Sequence, residues 1–144
     1  MSDASYQQPD LALLGEEHVR RYRETDGEVG YLWNGVPTLL LTTTGRNSGQ
    51  SRTTPLIFNR DGDDYLVVAS MGGAPSHPNW YLNLTAHPDA EIQVRAECLP
   101  VTARTAAPDE KARLWAIVAD QWPNYDVYQS RTTREIPVVV LSPK

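Results

Sequence analysis

From residue 36 onward the apolar residues stop recurring at helical spacing and gather into short β-branched and aliphatic runs at 38–44, 53–59, 65–70, 91–94, 99–105 and 136–141. Runs of this length and composition suit the pleated, half-buried surface of a strand. Only two helical patterns fall between them, 78–86 and 108–121, each opening on a proline whose missing N–H goes unneeded in a first helical turn. Asp109 and Glu110 place acids where the second helix's dipole favours them. Turn residues such as Asp61-Gly62-Asp63 join neighbouring runs as in a hairpin. Strands that do not alternate regularly with helices rule out a doubly wound parallel sheet. They predict an α+β fold, a barrel or half-barrel of about six mainly antiparallel strands with flanking helices.

Ahead of the strands, Leu11, Leu14, Val19 and Tyr22 predict a helix over 11–25, stopped at Asp26-Gly27. Residues 1–10 read as a loose polar tail, which leaves 11–144 as a single domain. His18, Arg20, Arg21 and Arg23 crowd the last turns of this helix, either as cations complementing its C-terminal dipole or as a basic face toward an anionic ligand or membrane surface. The N-terminus lacks the apolar stretch of a signal peptide, and no run approaches the roughly 18 apolar residues of a membrane span, so the cytoplasm is the expected compartment. A net charge of -5 over 144 residues argues against a nucleic-acid partner. Cys98 is the only cysteine, so no internal disulfide, thiolate metal cage or two-cysteine redox pair forms within one chain, and its neighbours Leu99 and Val101 predict a small buried hydrophobe. The three histidines are scattered and predict no metal site.

Chemistry concentrates in three segments. The first, residues 42–55, joins two strands through a glycine-bounded turn carrying Ser48, several threonines, Arg46 and Arg52. Glycines let amides turn toward an anion, and the arginines' planar forks match phosphate; a plain hairpin turn with solvated arginines has the same composition. The second runs from Ala69-Ser70-Met71-Gly72-Gly73 into His77-Pro78-Asn79-Trp80 and brings a strand end beside a helix N-terminus. It reads as a seat for a planar ligand's polar edge or as a tight turn capped by Ser76 or His77, with Trp80 and Leu84 in the core. In the third, Trp122, Tyr125 and Tyr128 recur at intervals of three, as one helix face that either packs in the core or walls a flat organic molecule. The chain has no G-x-G-x-x-G after a strand, no Walker lysine motif and no G-x-S-x-G elbow.

In this order, TTTGRNSGQSRTTPLI, DGDDYLVVASMGGAPSHPNWYLNL, WPNYDVYQ and REIPVVVL resemble the deazaflavin-dependent nitroreductase family of actinobacteria, over nearly the whole span 18–141. The resemblance implies a split β-barrel of the FMN-binding type. It further implies an oxidoreductase that passes a hydride from reduced coenzyme F-420, an 8-hydroxy-5-deazaflavin with a phospholactyl-oligoglutamate tail, to a quinone, nitroaromatic or other activated acceptor. Carried onto this chain, it sets Arg46, Asn47, Ser48 and Arg52 against the tail phosphate. It lays the ring along Thr53, Thr54, Pro55, Leu56, Ile57 and Phe58 and along Val68, Ala69, Ser70 and Met71, with further contacts from Asn79, Trp80, Tyr81, Leu82 and Asn83. Tyr125 and Tyr128 face the acceptor as hydrogen-bond donors, Tyr125 also bordering the coenzyme, and the N-terminal helix, residues 31–33 and the aromatic segment shape the acceptor pocket. Asn47 and Met71 stand where the family carries lysine, and Trp122 where its best known nitroimidazole-activating member carries tyrosine. Quinones add contact with the inner face of the membrane to the expected partners. An FMN-dependent split-barrel reductase and a non-enzymatic deazaflavin carrier are the alternatives.

Overall fold

The computed structural model describes residues 15–144. The expected tail at 1–10 and the start of the expected helix at 11–25 lie outside them, and the described helix, α1, spans Gly15–Glu24. Eight strands follow: β1 (Leu32–Trp33), β2 (Val36–Thr44), β3 (Ser51–Ile57), β4 (Asn59–Asp61), β5 (Asp64–Val68), β6 (Asp89–Val94), β7 (Glu97–Thr105) and β8 (Val138–Pro143). Helix α2 (Asn79–Ala86) sits between β5 and β6, and both α3 (Pro108–Gln121) and α4 (Asn124–Ser130) between β7 and β8. All six expected strands and both expected inner helices are present with shifted ends. The two additional strands, β1 and β4, are too short to leave a periodic signal.

Every strand pairing is antiparallel, in the order β1-β2-β6-β7-β8-β5-β4 with β3 also paired to β2. β3 and β4 are nearly one strand. Leu56 lies opposite Leu39 of β2, and beyond the buried Phe58, Asn59 lies opposite Leu66 of β5. One bent segment therefore meets both ends of the sheet, which curls into a split barrel where the sequence pattern predicted a straight strand at 53–59. Among the described residues, β3 pairs along Ser51–Ile57 only with β2.

Side chains alternate between two apolar clusters, as a pleat requires. Leu66 and Val68 of β5 and Val138 and Val140 of β8 enter one cluster; Tyr65, Val67, Val139 and Leu141 enter the other. Leu114, Val118, Trp122 and Tyr125 close the first, and Leu84 of α2 closes the second. With both faces covered, β5 and β8 read in sequence as unbroken apolar runs. β7 has one wet face: Val101 and Ala103 point inward, while Cys98, Pro100 and Thr102 fall on the opposite parity and are exposed. This corrects the expectation for Cys98, whose neighbours are apolar but whose own position faces solvent.

Candidate functional site

The chain reverses between β2 and β3 in a tightly bonded turn. Gly45 N–H donates to the Gln50 carbonyl and Gly49 N–H to the Gly45 carbonyl, each at 2.8 Å, while Ser48 Oγ accepts from Gln50 N–H at 3.2 Å. A Cβ on Gly45 would lie 2.6 Å from Ser48 Oγ, so only glycine lets that hydroxyl close the turn. Helix α2 anchors it. The buried Asn83 accepts at Oδ1 from Arg46 N–H (3.1 Å) and Arg46 Nη1 (2.9 Å), and its Nδ2 donates to Thr43 Oγ1 (3.3 Å). Asn79, at the head of α2, accepts from Arg46 Nη2 at 3.4 Å. Arg46 is thus fixed in place, whereas Arg52 is exposed and engages no acceptor among the described residues.

These groups line a cavity of about 440 Å³, bounded by Thr43, residues 45–48, residues 52–54, Asn79, Trp80 and Asn83. A second cavity of about 460 Å³ adjoins it and shares Thr54, Asn79 and Trp80. Pro55, Leu56 and Ile57 on β3, Val68 and Ser70 at the end of β5, Met71, Gly72, Trp33, Trp122, Tyr125 and Tyr128 line this second part. The two cavities make one elongated groove, polar and arginine-bearing at one end and aromatic at the other.

Several expectations are corrected. Ala69 is fully buried and, like Leu82, lines neither cavity. Tyr81 turns the other way: its hydroxyl meets Thr105 Oγ1 at 2.8 Å and its ring packs 4.9 Å from His77 in a separate cleft. Helical geometry accounts for Tyr81, which lies two positions from both Asn79 and Asn83 and so faces away from the side they share. Neither Ser76 nor His77 caps α2, which begins after Pro78 with no side-chain cap. His77 Nδ1 instead accepts from Arg134 at 3.0 Å, and burial followed by the charge of Arg134 lowers its pKa, which keeps that nitrogen an acceptor. Tyr31 leaves the acceptor pocket to stack under Arg95, at 4.0 Å, and Leu32 is exposed. The basic face of α1 dissolves, since Arg20 and Arg21 pair with Glu17, Arg20 also with Glu24, and Arg23 donates to Thr53 Oγ1.

Thr38 lines the aromatic end without having been singled out for it, and His18, on the N-terminal helix expected to shape the acceptor pocket, lines it as well. Both are buried and donate to the Gly30 carbonyl, His18 through Nε2 at 2.7 Å and Thr38 through Oγ1 at 2.5 Å. A histidine in a basic helix turn and a threonine in a strand carry no local mark of this meeting. Trp80 is half-buried and borders both cavities while packing on the core, so its two readings hold together.

Of the aromatic segment, the buried Tyr125 and half-buried Tyr128 lie on α4 while the buried Trp122 caps the end of α3, so the three do not share one helix face as expected, though all three line the groove. The rings of Tyr125 and Tyr128 meet edge-on at 6.1 Å, and Trp122 packs 5.7 Å from Trp33. Burial, and secondarily Tyr128, holds the Tyr125 phenol far above its ordinary pKa, so it stays a hydrogen-bond donor. Among the described residues no three metal-binding side chains cluster, and no helix is long and apolar enough to cross a membrane.

This groove has the size and lining for a long ligand with an anionic tail and a flat head. Residues 14–143 match the F420H(2)-dependent quinone reductase family. The F420H(2)-dependent quinone reductase of Mycobacterium tuberculosis is 51% identical over 129 residues, covering 87% of each chain. The solved structure of an F420-H2 dependent reductase superposes with a TM-score of 0.69 at 39% identity, over 74% of this chain and 94% of that one. A solved domain-swapped dimer gives 0.71 at 36% identity, over 88% and 95%. With the split barrel and the two-ended groove in place, the chain belongs to the F420H(2)-dependent quinone reductase family.

Proposed function

We propose that the protein binds reduced coenzyme F-420 along the groove and delivers its hydride to a quinone held at the aromatic end. One observation carries this reading: the arginine-bearing cavity and the aromatic cavity are continuous through Thr54, Asn79 and Trp80. Arg52, free to turn, and Arg46, fixed by Asn83, hold the tail phosphate with Asn47 and Ser48, as charge-assisted bonds from planar forks. The ring lies between β3 and the end of β5. Pro55 sits in a strand paired on one edge only, which leaves main-chain groups on the other edge for ring carbonyls. When bound, the reduced deazaflavin supplies the hydride. The protein orients the two partners, keeps water out and donates hydrogen bonds to the acceptor oxygen through Tyr125 and Tyr128.

The test is oxidation of reduced F-420 by menadione with the purified protein, followed by the coenzyme's absorbance. Turnover supports the reading. Binding without turnover points to a carrier, and a flavin spectrum in the purified protein points to FMN. Nitro compounds are a second acceptor class for the same assay. A lipid-soluble quinone also brings the inner face of the membrane into the reading, which flotation with vesicles measures.

A further inference from the structure

One side chain ties together the two walls of the aromatic end. Arg134, between α4 and β8, is partly buried and forms no ion pair among the described residues. Its guanidinium is committed to neutral acceptors: Nε donates to the Ala74 carbonyl (2.8 Å), Nη2 to the Ser70 carbonyl (2.8 Å), and Nη1 to the Ala69 carbonyl (3.2 Å) and His77 Nδ1 (3.0 Å). All four belong to the loop between β5 and α2, whose Ser70, Met71 and Gly72 line the groove.

The other wall, α4, holds the main chain from which Arg134 reaches out. Gln129 Nε2 donates to the Arg134 carbonyl at 2.8 Å, and Gln129 Oε1 accepts from Ile136 N–H at 3.0 Å. The walls also touch directly, for a Cβ on Gly73 would fall 2.6 Å from the Tyr128 carbonyl oxygen. The loop is not at rest in this shape. Met71 has φ +46, a left-handed conformation that a residue with a side chain keeps only where its surroundings enforce it.

We propose that Arg134 is a positioning residue for the acceptor step, holding the Ser70–Gly72 wall against the tyrosine-bearing helix and so setting the width of the groove's aromatic end. The proposal rests on reading that end as the acceptor site. A planar five-donor fork meets four acceptors around one loop, and no other side chain supplies that geometry. Arg134 lines neither cavity, so it acts through the loop, and the tail-binding turn at 45–54 lies apart from it.

The experiment compares Arg134→Gln and Arg134→Lys with wild type in three readouts: menadione kinetics with reduced F-420, coenzyme affinity by fluorescence, and hydrogen exchange across residues 69–77. Arg134→Gln is expected to cut kcat/KM by up to about 10²-fold through a raised menadione KM, the scale of a small misplacement of reacting groups. Coenzyme affinity should fall far less, and exchange should quicken in residues 69–77. Arg134→Lys, which keeps the charge and loses the fork, should fall between. If the Gln variant does not fold, the Lys variant carries the same comparison. A lowered melting temperature with menadione KM unchanged would make Arg134 a stability residue and overturn the proposal, as would unchanged exchange in the loop. Should the wild type itself fail to turn over menadione, the acceptor reading is what falls, and loop exchange still decides whether the clamp exists.

Discussion

The two ends of the groove are built by different means. At the polar end, one short stretch of chain supplies the turn, its hydroxyl and both arginines, and two residues of one helix, Asn83 and Asn79, pin it to the rest of the fold. At the aromatic end Trp33, Leu56, Ser70 and the segment from Trp122 to Tyr128 converge from four separate stretches of chain. The polar end is therefore a local device attached to the barrel, whereas the aromatic end is made of the same side chains that close a core cluster. Substitutions at the first, its anchor Arg46 apart, should change binding and spare the fold; substitutions at the second should strain both.

Trp122→Ala tests that division most severely. Trp122 is fully buried, packs on Trp33 and forms part of the wall, so its removal leaves a cavity in the first core cluster. A loss of about 3–5 kcal/mol in urea unfolding is expected, the cost of truncating a buried aromatic. That is a large share of the roughly 5–15 kcal/mol that holds a domain together. Near-native stability would mean that the wall is an appendage and that the two ends are built alike.

Removing only a hydroxyl separates chemistry from packing at the same end. Tyr125→Phe and Tyr128→Phe keep the rings, so stability should change little while kcat/KM for menadione falls by up to about 10²-fold, near 2.7 kcal/mol, as for one lost hydrogen bond to developing oxyanion charge. Coenzyme affinity should stay nearly level. Because burial raises the Tyr125 pKa, its proton remains in place through the pH 10 of an ordinary phenol, and no loss of donor function from Tyr125 is expected there. If both variants keep wild-type turnover, the tyrosines are packing residues.

How the site was legible follows the same division. The arginine-bearing turn could be read from residues 42–55 because glycines, hydroxyls and arginines act within a few positions of one another. The strands of the barrel were legible because their period is local too. The split in the barrel was legible only through the family resemblance and not in the strand pattern, since it depends on one segment bending at Phe58 to pair with both β2 and β5. Thr38, Arg134 and the buried bond of His18 to Gly30 escaped for the same reason. Each earns its place through partners 8 to 65 positions away, and nothing in the neighbouring residues announces them. Tyr81 and Leu82 were over-read, because treating 79–83 as one block ignored that only one face of α2 meets the groove.

Within the polar end the two arginines should differ. Arg52→Ala is expected to weaken coenzyme binding by about 1.5–3 kcal/mol, the range for a charge-assisted bond, with the melting temperature unchanged because Arg52 engages no acceptor among the described residues. Arg46→Ala should weaken binding as well and also lower stability, since it removes the Nη1 bond to the buried Asn83. Calorimetry and thermal unfolding on the pair settle it: identical profiles for both variants would show that the turn is not anchored through Arg46.

The smallest effect probes where the anionic tail ends. Asn47 and Met71, the two positions where related proteins were expected to carry lysine, fall at opposite ends of the groove, Asn47 in the polar cavity and Met71, 57% exposed, in the aromatic one. Asn47→Lys should tighten coenzyme binding by a few tenths to about 1 kcal/mol, the worth of an exposed ion pair, and the gain should fade as salt rises. Met71→Lys should gain little, because a cation there faces the flat head of the ligand and not its charged tail. Titrations of both variants at low and high salt make the comparison. Equal, salt-sensitive gains at the two positions would place the tail along the whole groove and dissolve the distinction between its ends; a gain at Asn47 alone would fix the tail where the arginines are.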